Sequence, residues 1–370
     1  MYKKMKWSDI LTIISGKNQK GVASEDGEYF IYGSGGIIGR ANDYLCPANT
    51  VIVGRKGTIN HPLYVTEPFW NIDTAFGVVA GEELLPKFLY YFCLQFNFKE
   101  LDKSTGRPSV SKADLLKIEM PIPNIEEQAR IVSRIEELFS ELDKGVETLQ
   151  VIKEQLAVYR QAVLKMVFAS MNERKSIQEV SSLVTSGSRG WAKYYNEKGV
   201  RFIRITDLTR DKIKLKNNAI QRVLLPEGVE GKRSRLQGND VLISITADLG
   251  SIALVPEDVE EAYINQHIAV VRFVNSHQGE FMAWYLKSDY GQKELLRNKR
   301  GGGKLGLGLD DIRNTLVPIV SDEVADEVVS EIESRMSVCD SIEQTVDTAL
   351  SQAEAMRQSI LKKAFEGGLN

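Results

Sequence analysis

YRQAVLKMVF, at residues 159–168, is written again as MRQSILKKAF at residues 356–365, and this repetition decides the architecture. A shift of 197 positions carries Arg160, Gln161, Leu164, Lys165 and Phe168 onto Arg357, Gln358, Leu361, Lys362 and Phe365. The same shift carries Ile135, Glu136 and Asp143 onto Ile332, Glu333 and Asp340, and, without a gap, Asp114 and Pro121 onto Asp311 and Pro318. Farther upstream the match loosens and needs insertions: NTVIVGRKGTI against NDVLISITADLGSI, and KFLYYFCLQ against EFMAWYLKS. Self-similarity at one fixed offset marks a duplicated unit. The chain reads A–B–A′–B′, with B well matched and A diverged.

B is a long helix. Its apolar positions run Ile131, Ile135, Leu138, Leu142, Leu149, Ile152, Leu156, Tyr159, Val163 and Met166, with Gly145 filling one place. Their spacing alternates four and three, which is a heptad seam. The copy keeps the seam at Val328, Ile332, Cys339, Ile342, Val346, Ala349, Ala353, Met356 and Ile360, flawed by Arg335. A helix lying on a globular core would show a wider stripe of period 3.6. The strict alternation favours a coiled coil, and the simplest partner for each seam is the other. Arg160, Leu164 and Phe168 lie four apart on one face beside the seam, as do Arg357, Leu361 and Phe365. Six such residues are expected to be free for a third body. The alternative is that Leu164 and Phe168 close the bundle against A.

A and A′ are mixed. A opens with a helix-like SDILTIISG and turns strand-rich at EYFIYGSGG, NTVIVGRKG, HPLYVTEPF and AFGVVAG, before a helix around PKFLYYFCLQFNFKEL. A′ follows with VRFIRITDL, DVLISITA, SIALVPE and AYINQHIAVVRFV, then helical EFMAWYLKSDYGQKELLRN. The predicted fold class is mixed α/β: two pseudo-symmetric α/β domains, residues 1–123 and 176–319, separated by an antiparallel coiled coil of two long helices in 124–175 and 320–370. Charge follows this division. Residues 176–319 carry 21 basic and 17 acidic side chains, a surplus of four positive charges, whereas residues 320–370 carry 4 and 11, a surplus of seven negative ones. The net charge of −3 therefore hides basic faces. Cys46, Cys93 and Cys339 are isolated, without the spacing of a zinc site or a disulfide framework, which fits a reducing cytoplasm. No apolar run reaches the ~18 residues of a membrane span, and the N-terminus lacks the long apolar region of a signal peptide.

Catalytic motifs fail on inspection. GSGGIIG at 33–39 has Ile38 where the third glycine of a dinucleotide fingerprint belongs, so it reads as a turn between strands. GGGKLGLG at 301–308 lacks the Gly-Lys-Ser/Thr of a phosphate loop. His61, His267 and His277 are scattered without metal spacing. Basic residues carry more. Lys17, Lys20, Arg40, Arg55, Lys56 and Arg107 in A, and Arg189, Lys193, Arg201, Arg204 and Lys304 in A′, lie in turns or beside glycines. Such side chains reach phosphate oxygens, and Arg can grip guanine. These eleven are the candidate DNA contacts, and a solvated surface is the reading set against each of them singly.

GRPSVSKADLLKIEMPIPNIEEQARIVSRIEELF at 106–139 resembles a known junction. It is similar to the place where the first target-recognition domain of type I restriction–modification specificity (S) subunits meets a conserved helix. EYFIYGSGGIIGRANDY, VIVGRKGTI and PFWNIDTAF resemble phrases of those domains, and RQAVLKMVF and RQSILKKAF the ends of their two conserved helices. The second junction departs from the pattern: SDEVADEVV lacks the Glu-Glu-Gln of NIEEQARIV, and VPIV replaces MPIP. The resemblance implies a non-catalytic, cytoplasmic subunit whose two domains each bind half of a split site on double-stranded DNA. It implies helices that space the domains and dock two modification (M) subunits. Those subunits would bring S-adenosylmethionine to methylate adenine, and restriction (R) subunits would join for cleavage; the chain itself would hold no cofactor, no metal and no membrane contact. The alternative is a coiled-coil adaptor whose α/β domains bind protein.

A duplicated unit is a pseudo-dimer in one chain, suited to two separated half-sites. A seam of about 36 residues at ~1.5 Å per residue spans roughly 54 Å, or about 16 base pairs at ~3.4 Å each. Insertion of one heptad into both helices is expected to lengthen the preferred spacer in a binding assay on duplexes of graded spacing; an unchanged preference would disprove the ruler.

Overall fold

A computed structural model describes residues 2–228, 232–297 and 306–369. The chain forms two compact units, Met1–Gln150 with Asp347–Asn370, and Val151–Val346. Each unit thus takes chain from both repeats.

In the first unit, strand Lys4–Lys6 pairs antiparallel with Glu119–Pro121 and ties off the α/β domain. Leu11–Ser15, Ala75–Ala80, Thr50–Gly54 and Leu63–Val65 form an antiparallel sheet in that order. Thr50–Gly54 is buried throughout, the continuous apolar run of a central strand. A second sheet joins Gly36–Ala41 to Tyr29–Gly33, which runs parallel to Phe69–Asn71. Helix Pro86–Gln95 starts with proline in its first turn, where no backbone N–H is needed. It buries Phe88, Leu89, Phe92 and Cys93 over the sheet residues Val51, Val53, Phe76 and Val78. The thiol of Cys93 is pushed up by that burial.

The second unit repeats this plan. Arg174–Ser176 pairs with Leu316–Pro318. Ser181–Ser186, Ile268–Phe273, Val241–Ser244 and Ile252–Leu254 form a sheet of the same order and sense. Val200–Ile203 runs parallel to Ala262–Ile264, as Tyr29–Gly33 does to Phe69–Asn71. Asn49 (φ 58°) and Asn239 (φ 64°) hold the left-handed conformation just before the equivalent central strands, a place where asparagine is tolerated. Helix Gly279–Lys287 covers the sheet with Phe281, Met282 and Tyr285.

Two local expectations are corrected. SDILTIISG is helical only over Trp7–Ile10; Leu11–Ser15 is a strand, because its β-branched residues alternate between core and solvent. AYINQHIAVVRFV is two strands in two sheets, broken by the Asn265–Gln266–His267 turn.

The long helices span Ile125–Phe168 and Asp322–Glu366. Asn124 caps the first by accepting from Glu127 N at 2.9 Å. Gly367 (φ 84°) ends the second, and Gly368 N donates back to Lys363 O at 2.8 Å. Within each unit the helices run antiparallel. In the second, Arg160 donates to Asp340 at 2.6 Å and to Glu343 at 2.8 Å. In the first, Arg357 bonds Asp143, the same pair carried by the repeat. Among the described residues no helix is long and apolar enough to cross a membrane.

The proposed docking face is the main correction. Leu164, Phe168 and Leu361 are 2%, 1% and 1% exposed, and Phe365 8%. Phe365 packs on Phe88 and Phe92 with ring centroids 5.0 and 5.4 Å away, and Phe168 packs on Phe281 and Tyr285 at 5.6 and 5.4 Å. Arg160 is buried in its acidic cluster, and Arg357 stacks over Phe139 at 5.0 Å. Tyr159 and Met166, expected in the seam, are instead 45% and 52% exposed. The reason is rotation. A straight helix drifts about 20° per heptad against a 3.5-residue repeat, so five heptads turn it by about 100°, one residue's step. The inward face therefore passes from Tyr159 to Arg160 and widens from Val163, which stays buried, to take in Leu164. A carboxylate placed at Leu164 or Leu361 would be buried without a partner and would break the unit itself.

Each helix end is thus a plug in an α/β core. Phe365→Ala is expected to destabilise the first unit by about 3–5 kcal/mol, and Phe168→Ala the second by a similar amount. Denaturant unfolding with hydrogen exchange reads this, the loss of protection falling in one unit per variant.

Candidate nucleic-acid interface

In the first unit a chain of backbone hydrogen bonds gathers five loops at one edge. Lys17 N donates to Asn71 O (2.9 Å), Ile72 N to Tyr32 O (2.9 Å), Arg55 N to Thr74 O (2.8 Å), Val110 N to Arg55 O (2.9 Å) and Gly57 N to Pro108 O (2.8 Å). Ser34 Oγ donates to Lys56 O at 2.8 Å. The turn 71–75 is held from beneath. Asn71, fully buried, donates to Ala75 O at 3.1 Å and accepts from the Cys46 thiol at 3.2 Å. Burial pushes that thiol up to about 12, so it stays a neutral donor.

This edge brings Arg55, Lys56 and Arg107 together. Arg55 is half-buried over the Phe76 ring at 5.8 Å, and Lys56 is exposed beside it. The Arg107 guanidinium lies against Gly57 (φ 82°), where a Cβ would come within 2.8 Å of Nη2. Only glycine lets the arginine lie there. Lys17 and Lys20 are exposed on the neighbouring loop. Arg40 stands apart, stacked on Phe30 at 4.4 Å and donating to Gly27 O at 3.0 Å.

The second unit builds the same edge. Ile245 N donates to His267 O (2.9 Å) and Leu307 N to Ile245 O (3.0 Å), repeating the two bonds made by Arg55. The Thr246–Gly306 bridge repeats Lys56–Ser109. A cleft of about 860 Å³ opens here, lined by Arg189, Trp191, Lys193, Arg233, Thr246 and Gln266. Lys193 lies over the Tyr194 ring at 4.9 Å. Arg201 and Arg204 are not part of it; their guanidinium groups donate to Lys216 O and Asn217 Oδ1, and to Ala219 O, and so brace the segment that follows their strand. Arg210 is held by Asp248, whose carboxyl it keeps below the usual range. Lys304 lies outside the described residues, as do 301–305 of the glycine run.

Sequence reasoning passed over Thr246 and Gln266 because neither is charged, and weighed His267 only as a metal ligand. The alignment of NTVIVGRKG with NDVLISITA already set Thr246 opposite Lys56.

Two copies of one α/β unit, each with a cationic loop edge and each clamped by paired long helices, define a two-headed DNA-reading class. Residues 1–154 and 174–352 match the family model of the type I restriction modification DNA specificity domain, and the chain belongs to that family. It is 24% identical over 352 residues to the type I restriction enzyme EcoBI specificity subunit of Escherichia coli, covering 86% of this chain and 73% of that one. Its fold is similar to a chain of a type I R-M system solved for complex assembly and conformational transition, with a TM-score of 0.76 at 17% identity over 99% of this chain and 98% of that one. It is also similar to the HsdS subunit of Thermoanaerobacter tengcongensis, with a TM-score of 0.52 at 16% identity over 99% and 97% of the two chains.

Arg55→Ala is expected to weaken duplex binding and to lower the salt slope of log K by about one, as for a lost phosphate contact. Unchanged affinity through a salt titration would remove Arg55 from the interface.

Proposed function

We propose that this chain is the non-catalytic recognition subunit of a type I restriction–modification enzyme. Residues 1–123 read one half of a bipartite DNA site and residues 176–319 the other, and the helices of 124–175 and 320–370 link the two and receive two M subunits. Methyl transfer to adenine and cleavage belong to the M and R subunits. The carrying observation is that one hydrogen-bonded loop frame occurs twice with different side chains: Arg55, Lys56 and Thr74 in one copy, Ile245, Thr246 and His267 in the other. A repeated frame with altered chemistry is what two unlike half-sites require, and family membership supports DNA over protein as the ligand. With Leu164, Phe168, Leu361 and Phe365 committed to the cores, the exposed apolar side chains that M subunits could meet include Val151, Val158, Tyr159 and Met166 on the first helix and Val338, Ile342 and Met356 on the second.

Adenine-methylation mapping of cells with and without this chain, its M subunits present in both, tests the reading. A two-part motif lost with the chain is expected; an identical methylome would refute it.

A further inference from the structure

Asp73 and Gln266 occupy one position in the duplicated frame. Each precedes the residue, Thr74 or His267, whose carbonyl accepts the amide of Arg55 or Ile245. Each therefore leaves the same turn at the same edge. Their surroundings differ. Gln266 is half-buried in the cleft wall, and its Nε2 lies 3.0 Å from His267 Nε2. The other ring nitrogen, Nδ1, lies 2.6 Å from Thr246 Oγ1. With the amide nitrogen of Gln266 donating to it, His267 Nε2 is the acceptor, and the tautomer that fits both contacts has its proton on Nδ1, donating to Thr246 Oγ1. This relay fixes the amide plane of Gln266. One of its N–H bonds is spent on the histidine; the second N–H and the carbonyl oxygen remain for a ligand. A solvated turn residue needs no such brace. In the first unit Asp73 is exposed and its carboxylate offers acceptors alone.

We propose that Asp73 and Gln266 are the equivalent specificity-determining residues of the two domains, Gln266 reading an adenine and Asp73 a cytosine. The inference rests on the DNA reading above and deepens it. A free N–H beside a carbonyl oxygen matches adenine N7 and N6 in the major groove, and a carboxylate accepts from cytosine N4. Thr246 and His267 are positioning residues that orient the amide without touching the base. Arg189 and Lys193 in the same cleft, and Lys56 and Arg107 in the other edge, supply the cations for the flanking phosphates.

The test is selection from duplexes randomised in both half-sites, using the full chain assembled with its M subunits. The unaltered chain is expected to return a two-part motif. Gln266→Asp should change a single letter of one half from adenine to cytosine, and Asp73→Gln should make the reverse change in the other half. Each variant should lose about 5- to 150-fold in affinity for the original duplex. Gln266→Glu, nearly isosteric, covers the case in which the shorter aspartate disturbs the turn; it too should lose the adenine. A motif left unchanged at every letter by all three variants overturns the assignment while leaving the DNA reading intact. A pool that the unaltered chain fails to enrich overturns the DNA reading and this inference with it.

Discussion

The insertion of Phe168 and Phe365 into the two α/β cores is the contact on which the rest depends. Each aromatic ends one long helix, and each meets the same pair of positions on the covering helix: Phe88 and Phe92 in one unit, Phe281 and Tyr285 in the other. The first core is therefore not complete until residue 365 is in place, although most of it lies within the first 135 residues. That long sequence separation makes closure an entropically late event. It also makes each recognition domain rigid with respect to the pair of helix segments in its own unit, so a reading edge is held by buried packing rather than by a linker.

Rigidity of the frame and freedom of the face explain how the copies have diverged. The backbone bonds made by Arg55 and Ile72 recur at Ile245 and Asn265, and they ask nothing of the side chains that point outward. The helix contacts leave no such freedom. Leu164, Phe168, Leu361 and Phe365 are buried in the cores, and Arg160 and Arg357 repeat one pairing, with Asp340 and Asp143. Conserving B while varying A follows from where the side chains are buried.

The same distinction sets what could be read from residues alone. The duplication, the two long helices, the turn nature of GSGGIIG and the cluster of Arg55 with Lys56 are local or periodic, and periodicity survives in sequence. The face that each helix buries does not, because a drift of about 20° per heptad accumulates out of sight of any local window. Heptad spacing named Tyr159 and Met166 as seam, whereas rotation made Leu164 and Phe168 the buried pair. Gln266 was illegible for another reason. Its importance comes from the histidine that follows it and from a threonine, 20 residues away in sequence, that sheet register brings to that histidine.

Magnitudes decide which pairs the duplication has kept. Lys87 and Glu136 form an ion pair at 2.5 Å in the first unit, with side chains 50% and 41% exposed. An exposed pair of this kind contributes about 0–1 kcal/mol, since water screens it and two long side chains must be ordered. At the matching place in the second unit stand Glu280 and Glu333, two carboxyls, and burial, then the neighbouring Glu333, raises Glu280 above its ordinary value. The two units carry opposite pairings at this place on the same fold. Arg160 has a side chain only 10% exposed, with the partners Asp340 and Glu343 47% and 26% exposed, so the arginine is shielded while its carboxylates keep water, and the contact outweighs a fully exposed pair without reaching the strength of a buried one. The repeat keeps the pairing of the shielded arginine, as Arg357 with Asp143, and does not keep the exposed pair.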